Sequence, residues 1–576
     1  MTMEEGTIIR WLKEVGDTIV YDEPIMEIET EKISMEYEAP ASGVLLAKFY
    51  GNGDTVPVLT VLGYIGKAGE KVPEHQAATS HKNTPEQAST TADKGIHKEA
   101  DIHKDRTVIA TARKEKYDYD IAFIGGGPAG YTGAIRAARM GAKPVLFERD
   151  KLGGTCLNRG CIPAKAYLKS AECLLSINKS DSLGIEMKGE AEANLAKIYQ
   201  RKEGVVQNLR NGVAQLMKSN GVIVINANAA LRGNHEIDAG GTLYTVGKIV
   251  LCSGSRAGLP PVPGIEHPDV LTSDTILEIR EIPKRLCIIG GGIIGCELGC
   301  AFRAFGSEVV ILEMLPHILP GMDDSVVNAV GKSLTALGIE IKTGIKVRRV
   351  EDKNGKPSVE TENGSFPCDK VLVAAGRTPD LNCLGVFRDK IKLDHAFVAV
   401  NDHMETSESG IYAAGDINGK LMLAHAAFRM AEVAAENALG ADKVCNLKYT
   451  PSCLYTIPEA ACAGLTEKQA REQYGNDIVV GQSAFSANGR AMASGEQEGF
   501  VRVIAGKKYG ELLGVHICGT TADELIAEPA ALMSCEITAY EVVNGMLHAH
   551  PTYGEAFMEA CAAVLRQTAI STAVLF

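Results

Sequence analysis

Two copies of one glycine pattern constrain this chain more than anything else in it. Ile121–Gly130 reads IAFIGGGPAG and Leu286–Gly295 reads LCIIGGGIIG. Each copy is an apolar strand running into Gly-x-Gly-x-x-Gly, at Gly125, Gly127 and Gly130 and again at Gly290, Gly292 and Gly295. An Ala-rich helical stretch follows the first copy, and a second strand, Pro144–Phe147, leads to Glu148. The second copy leads in the same way to Glu313. Both acids stand 23 residues beyond the first glycine of their copy. The glycines let a pyrophosphate approach a helix N-terminus, and the acid accepts from a ribose hydroxyl. A lone glycine triplet is weak evidence, but strand, turn, helix, second strand and acid in order are specific. The chain is therefore expected to be α/β, with two doubly wound dinucleotide-binding domains. Two such sites mean two dinucleotides, and the simplest pair is a flavin and a nicotinamide.

Just behind the first copy lies Gly153-Gly154-Thr155-Cys156-Leu157-Asn158-Arg159-Gly160-Cys161-Ile162-Pro163-Ala164-Lys165. On a regular helix, residues five apart have Cα atoms roughly 8.7 Å apart. A disulfide needs about 4.4–6.8 Å. Cys156 and Cys161 can bridge only where the helix is distorted. Gly160 tolerates unusual dihedrals, and Pro163 has no N–H to give the carbonyl of Arg159. A zinc site and two inert buried thiols are the alternatives that the spacing leaves open.

Composition narrows the class. A chain of 576 residues exceeds what one core supports and implies several domains. A net charge of −13 argues against a nucleic-acid partner or an anionic membrane, which a basic face would serve. No apolar run is long enough to span a bilayer and no signal peptide is evident. Fifteen cysteines without a framework pattern point to a reducing cytoplasm, where any disulfide is catalytic.

From about residue 117 to the C-terminus, several separated motifs recur in the order found in the pyridine nucleotide–disulfide oxidoreductases. GGTCLNRGCIPAK is most similar to the dihydrolipoamide dehydrogenases of that family. The resemblance implies FAD at the first glycine site and NAD at the second. The acid Glu313, followed by Met314, favours NAD, because a carboxylate repels a 2′-phosphate. Thr155, Lys165, Ser253, Gly254 and Asp416 are implied to touch FAD, with Glu148; Glu297 and Gly376 join Glu313 at the NAD site. Leu251-Cys252-Ser253-Gly254-Ser255 stands where the family has an Ala-Thr-Gly-Ser crossover, and Ile411–Asp416 (IYAAGD) returns to the FAD domain.

The same resemblance assigns the chemistry. Cys156 is implied to be the thiol that exchanges with substrate sulfur, and Cys161 the one against the flavin. Lys165 and Glu297 are expected to pair beside it. Near the end stands His548-Ala549-His550-Pro551-Thr552-Tyr553-Gly554-Glu555, matching the family's interface motif at His550 and Glu555. A lone histidine is more often structural, the role expected of His548. His550 is implied to be the base, oriented by Glu555, and to act on the partner subunit's disulfide, so a homodimer is implied too. Oxidation of dihydrolipoyl groups with reduction of NAD follows, in a 2-oxoacid dehydrogenase-type complex with a lipoylated acyltransferase or another lipoyl carrier. A glutathione or mercuric type of disulfide reductase is one alternative, and a chain serving mainly as carrier or assembly subunit is another.

Residues 1–68 form a separate small β module. Gly16-Asp17-Thr18-Ile19 recurs as Gly53-Asp54-Thr55-Val56, and Ile28 recurs as Ile65 at the same offset. Between them, apolar and polar residues alternate on both sides of Glu31-Lys32, which places Lys32 at a hairpin tip. Most Glu-Lys turns are simply solvated. The segment nevertheless resembles a lipoyl domain of flattened-barrel fold, which implies lipoate covalently held on Lys32; a biotin carrier would show Met-Lys-Met. Lipoyl domains have one further strand before the point where Met1 stands.

Residues 69–116, rich in Ala, Thr, His, Lys and Glu, are expected to be a flexible linker of about 35–42 Å typical span. The expected division continues with the FAD-binding domain at 117–257 and 378–447, the NAD-binding domain at 258–377, and a C-terminal α+β dimerisation domain at 448–576.

Overall fold

The computed structural model describes residues 5–20, 23–29, 34–39, 42–57, 62–66, 70 and 116–568. It falls into two compact units, Met1–Lys116 and Tyr117–Phe576. No helix among the described residues is long and apolar enough to cross a membrane.

The first unit is two antiparallel sheets, and its internal repeat is structural. One sheet orders the strands Ser34–Glu38, Pro24–Glu29, Glu5–Trp11 and Thr55–Pro57; the other orders Thr18–Ile19, Gly43–Lys48 and Gly63–Gly66. Neither closes into a single barrel among the described residues. A shift of 37 residues maps one set of contacts onto the other. Gly16 N–H donates to Leu45 O at 2.8 Å, and Gly53 N–H donates to Ile8 O at 2.6 Å. Asp17 and Asp54 each accept from the amide three residues earlier, Glu14 and Gly51, both at 2.7 Å. Both glycines sit in the left-handed region, at φ 102° and 89°, which the turn requires and L-residues resist. Each turn then delivers a buried aliphatic side chain, Ile19 or Val56. Ile25, Met26, Leu45 and Ala39 complete the core, with Trp11, Ile28 and Ile65 at its rim. The strands on either side of Lys32 in the sequence pair Glu29 with Ser34; Lys32, expected at a hairpin tip, lies outside the described residues.

In the second unit, the first glycine copy sits in a sheet whose parallel strands run Ile223–Asn226, Pro144–Glu148, Tyr119–Ile124, Thr242–Leu251 and Ile411–Ala413. Their inward residues, Ile121, Phe123, Leu146 and Val250, are fully buried, as continuous apolar runs in a covered parallel sheet must be. Helix Pro128–Arg139 crosses one face against helix Ala424–Ala438, a pair lined largely with alanine, and Arg136 Nε bonds Glu436 Oε1 at 2.8 Å. The second copy heads a five-stranded parallel sheet of Val270–Thr272, Lys370–Val373, Arg285–Ile289, Glu308–Leu312 and Glu340–Lys342. The C-terminal region is a five-stranded antiparallel sheet, Ser452–Leu454, Ala460–Gly464, Leu512–Cys518, Phe500–Gly506 and Ile478–Ala484, backed by helix Glu555–Leu565. In both parallel sheets the glycine loop follows the carboxyl end of its strand, where ligands of open α/β sheets bind.

Candidate active site

The two glycine loops are built alike. An ideal Cβ on Gly125 would come within 2.3 Å of Cys252 O, and one on Gly290 within 2.4 Å of Ala374 O. A neighbouring strand therefore presses on the first glycine of each copy. The helices that follow, Pro128–Arg139 and Ile293–Ala304, have no side-chain cap and no acid in the first turn. Their leading N–H groups and positive dipole ends are thus left for an anion. Glu148 Oε2 accepts from Gly126 N at 2.6 Å, and Glu313 Oε2 accepts from Gly291 N at 2.6 Å. Each carboxylate is thereby fixed at the edge of its loop.

Both loops open into one continuous cavity of about 1930 Å³. Gly125, Gly127, Glu148, Thr155, Ser253, Gly254 and Asp416 line it, as do Gly290, Gly292, Glu297, Glu313 and Gly376. Gly130 and Gly295 stand behind the loops. A Cβ there would reach 1.7 Å from Gly125 O and 2.1 Å from Gly290 O, so these glycines let helix and loop touch.

The cysteine stretch is a broken helix. Gly154–Arg159 forms a short helix, Gly160 takes φ −128° and ψ −112°, and a new helix runs Cys161–Asn178. Pro163 falls in the first turn, where its missing N–H costs nothing. Asn158 Nδ2 donates to Leu152 O and Gly154 O, both at 2.9 Å, and its Oδ1 accepts from Arg210 Nε at 3.0 Å. These bonds clamp the short helix. Cys156 and Cys161, unbonded as thiols in this structure, both line the cavity and hydrogen-bond each other.

The two thiols are electrostatically unlike. The bond from Cys156 and the nearby Lys165 ammonium hold the Cys161 thiol down to about 7, against burial and the Glu297 carboxylate. The N-terminus of its own helix adds in the same direction. Cys156 is pushed up, by its bond to Cys161 and by burial. Cys161 is therefore the thiolate of the pair near neutral pH.

Lys165 Nζ lies 2.9 Å from Glu297 Oε2 and 4.1 Å above the Tyr455 ring. Glu297 is buried, and its Oε1 also accepts from Tyr455 N at 3.0 Å. Asp416 Oδ2 accepts from Ser255 Oγ at 2.5 Å, and Ser255 is held by Arg377 Nε at 2.6 Å. Tyr455, Ser255, Arg377 and the ion pair of Arg149 with Asp380 at 2.6 Å were missed by motif reasoning. Ser255 ends the Leu251–Ser255 motif and Arg377 directly follows Gly376, while Tyr455, Arg149 and Asp380 belong to no local pattern.

His550 and Glu555, which the family resemblance implied to be partners, lie together. His550 Nδ1 is 2.8 Å from Glu555 Oε1, and Thr552 N donates to Glu555 Oε2 at 2.8 Å. The Thr552 bond first, and then His550, hold the Glu555 carboxyl below the usual range. The His550 side chain is 78% exposed and does not line the cavity of its own chain. His548 bonds Glu528 Oε1 at 3.0 Å.

Comparison with known families decides the affiliation. Residues 119–431 match the model described as pyridine nucleotide-disulphide oxidoreductase. The chain belongs to that family. Residues 450–561 match its dimerisation domain, and residues 1–65 match a model described as biotin-requiring enzyme, of the biotin/lipoyl type. Among curated relatives, a dihydrolipoyl dehydrogenase of Bacillus subtilis is 38% identical over 76% of this chain and 97% of its own length. One of Thermus scotoductus is 40% identical over 78% and 98%. Among solved structures, the HOCl-induced flavoprotein disulfide reductase RclA of Escherichia coli superposes with a TM-score of 0.70 at 27% identity, covering 77% of this chain and 99% of RclA. LpdA of Mycobacterium tuberculosis shares the fold, with a TM-score of 0.72 at 23% identity.

Proposed function

We propose that this chain is a dihydrolipoyl dehydrogenase, an FAD- and NAD-dependent oxidoreductase carrying its own lipoyl domain. The observation that carries the reading is the unequal thiol pair, Cys156 and Cys161, across a helix break in the wall of a cavity that both glycine loops share. The residues suit both dinucleotides. Each loop offers uncapped helix N–H groups to a pyrophosphate and a fixed carboxylate to a ribose, and Asp416 faces the cavity from the flavin side. Glu313 suits NAD.

The chain's own residues account for the sulfur chemistry. With Cys156 and Cys161 joined as a disulfide, a substrate thiolate attacks the Cys156 sulfur and Cys161 leaves as a thiolate. The low value of Cys161 makes it the better leaving group. The second substrate thiol gives its proton to His550, attacks the sulfur joined to Cys156, and closes the lipoyl disulfide. Two electrons now rest on the cysteine pair. FAD, which Gly125, Gly127, Glu148 and Asp416 would hold, would supply the relay for these electrons to NAD. Lys165 holds positive charge beside Cys161 and is itself oriented by Glu297. Because His550 is turned away from its own cavity, the pair His550–Glu555 is assigned to a second copy's cysteines, so the working form is a homodimer.

Lys32 is the lipoate attachment site under this reading. Its tethered arm or a lipoylated acyltransferase of a 2-oxoacid dehydrogenase-type complex presents the substrate, and the enzyme acts in the cytoplasm. The curated relatives named above are dihydrolipoyl dehydrogenases, which does not favour the glutathione, mercuric or carrier-only alternatives. The test is NAD reduction by free dihydrolipoamide. Cys156→Ser and Cys161→Ser each keep the flavin and lose turnover; near-normal turnover in either variant refutes the assignment.

A further inference from the structure

The wall of the cavity beside Lys165 contains a group that the mechanism above does not use. Asp523 lines the cavity from the short helix Ala522–Leu525, and its carboxyl meets that of Glu459. Glu459 Oε2 is buried and receives no donated hydrogen bond. Two carboxyl groups in contact cannot both be ionised without strong repulsion, and a buried acceptor left unpaired is costly. A single proton placed between them removes both problems.

The approach is built rather than incidental. Gly519 N–H donates to Glu459 O at 2.8 Å, which ties the turn before the helix to the strand start. Thr521, the residue that launches the helix, takes φ 59°, a strained value for a β-branched side chain. That turn aims Asp523 into the cavity and onto Glu459.

Neighbouring elements bring titratable groups toward the pair. Helix Cys161–Asn178 brings Glu172, paired with Lys169 at 3.0 Å. Strand Ser452–Leu454 and the residue after it bring Cys453 and Tyr455, and the strand Ala460–Gly464 brings Cys462. Glu297 faces the same Tyr455. Tyr455 therefore connects the carboxyl pair on one side with the Lys165–Glu297 pair on the other.

We propose that Glu459 and Asp523 are positioning residues that share one proton in the cavity wall beside Tyr455, and that loss of this proton at alkaline pH lowers the competence of the dithiol-oxidising site. With the proton, the pair carries one negative charge. Without it, a second negative charge enters a wall that already holds Glu297 and, during turnover, the Cys161 thiolate. Burial, and then the contact with Asp523, push the Glu459 carboxyl up to about 8, so the second charge appears just above neutrality.

This inference rests on the dehydrogenase reading, and its test separates the two. In the holoenzyme, kcat/KM for free dihydrolipoamide with NAD is measured from pH 7 to 9 for the wild type, Asp523→Asn and Glu459→Gln. Each single variant holds the pair at one negative charge across that range. The wild type should lose up to about tenfold between pH 8 and 9, while both variants stay level and retain their flavin. A purely structural role would lower the rate at every pH and leave the limb in place. Infrared titration of holoenzyme with isotope-labelled glutamate reads the proton directly and does not depend on activity. It should show a protonated carboxyl that ionises near pH 8 and is absent in Glu459→Gln. An unchanged limb in the variants, or no such carboxyl in the wild type, overturns the proposal. A wild type that shows the carboxyl but does not oxidise dihydrolipoamide overturns the dehydrogenase reading instead.

Discussion

Replacing Gly130 by alanine places a methyl group 1.7 Å from Gly125 O, and replacing Gly295 places one 2.1 Å from Gly290 O. Cβ atoms do not approach other atoms closer than about 3.0 Å, so helix and loop must part by about 1.3 Å at the first site and about 0.9 Å at the second. Both partners are backbone and cannot swing aside. Overpacking of a rigid contact costs about 1–3 kcal/mol or more, and the displaced helix start carries off the N–H groups that face the pyrophosphate. Gly204 is the control. It lies within the helix Leu195–Ser219 with open space around a Cβ, so Gly204→Ala should stabilise by about 0.5–1 kcal/mol. Gly130→Ala should purify pale, with substoichiometric flavin and a lowered Tm. Gly295→Ala should stay yellow and be reduced normally by dihydrolipoamide while its KM for NAD rises at least about tenfold. The assays are flavin absorbance per chain, thermal denaturation, and kinetics with each substrate varied. If Gly130→Ala binds flavin fully at wild-type Tm, the helix–loop contact is not what shapes the site. If the two variants exchange phenotypes, the assignment of the loops to the two dinucleotides is reversed.

Four further outcomes are expected. Lys165→Met removes the ammonium charge that, with the bond from Cys156, holds the Cys161 thiol down, so the pH midpoint for alkylation of Cys161 in the reduced enzyme should climb from about 7 toward its ordinary 9.0; an unmoved midpoint refutes the role of Lys165. Glu313→Ser should reduce the preference for NAD over NADP by at least about tenfold in kcat/KM, and an unchanged ratio counts against the ribose contact. Because the folded value of Glu459 lies above its ordinary 4.5, its contribution to stability is present at low pH and is lost as pH rises toward about 8. The fall of Tm from pH 5 to 8 should therefore be shallower in Asp523→Asn than in the wild type. Material from a lipoylation-competent host should carry one lipoyl group by intact mass, and Lys32→Ala should remove it while free-substrate activity persists.

Local chemistry was legible in the sequence wherever the chain makes its own geometry over a few residues. Gly125 and Gly290 could be picked out because each opens a Gly-x-Gly-x-x-Gly directly after an apolar strand. Glu148 and Glu313 could be placed because one strand–helix–strand unit has a nearly fixed length. The kink between Cys156 and Cys161 could be inferred from helix geometry with Gly160 and Pro163 in view. The repeat of Gly16-Asp17 at Gly53-Asp54 reports a turn that recurs atom for atom. The residues of each motif lie close together in the chain, so spacing carries the information.

Tertiary structure alone decided the second set of partners. Lys165 and Glu297 were paired by family resemblance, but nothing in their spacing puts them 2.9 Å apart. The Tyr455 amide on Glu297, Ser255 on Asp416, and Arg149 on Asp380 are separated by more than 150 residues in each case. Glu459, just before the strand Ala460–Gly464, and Asp523, on the helix Ala522–Leu525, stand 64 residues apart in the chain. Parallel strands joined by long crossovers bring their carboxyl ends together from distant parts of the chain. The electrostatics of the cavity then depends on which side chains those ends happen to juxtapose. Charge and burial act through distance in space, and a sequence records distance only along the chain.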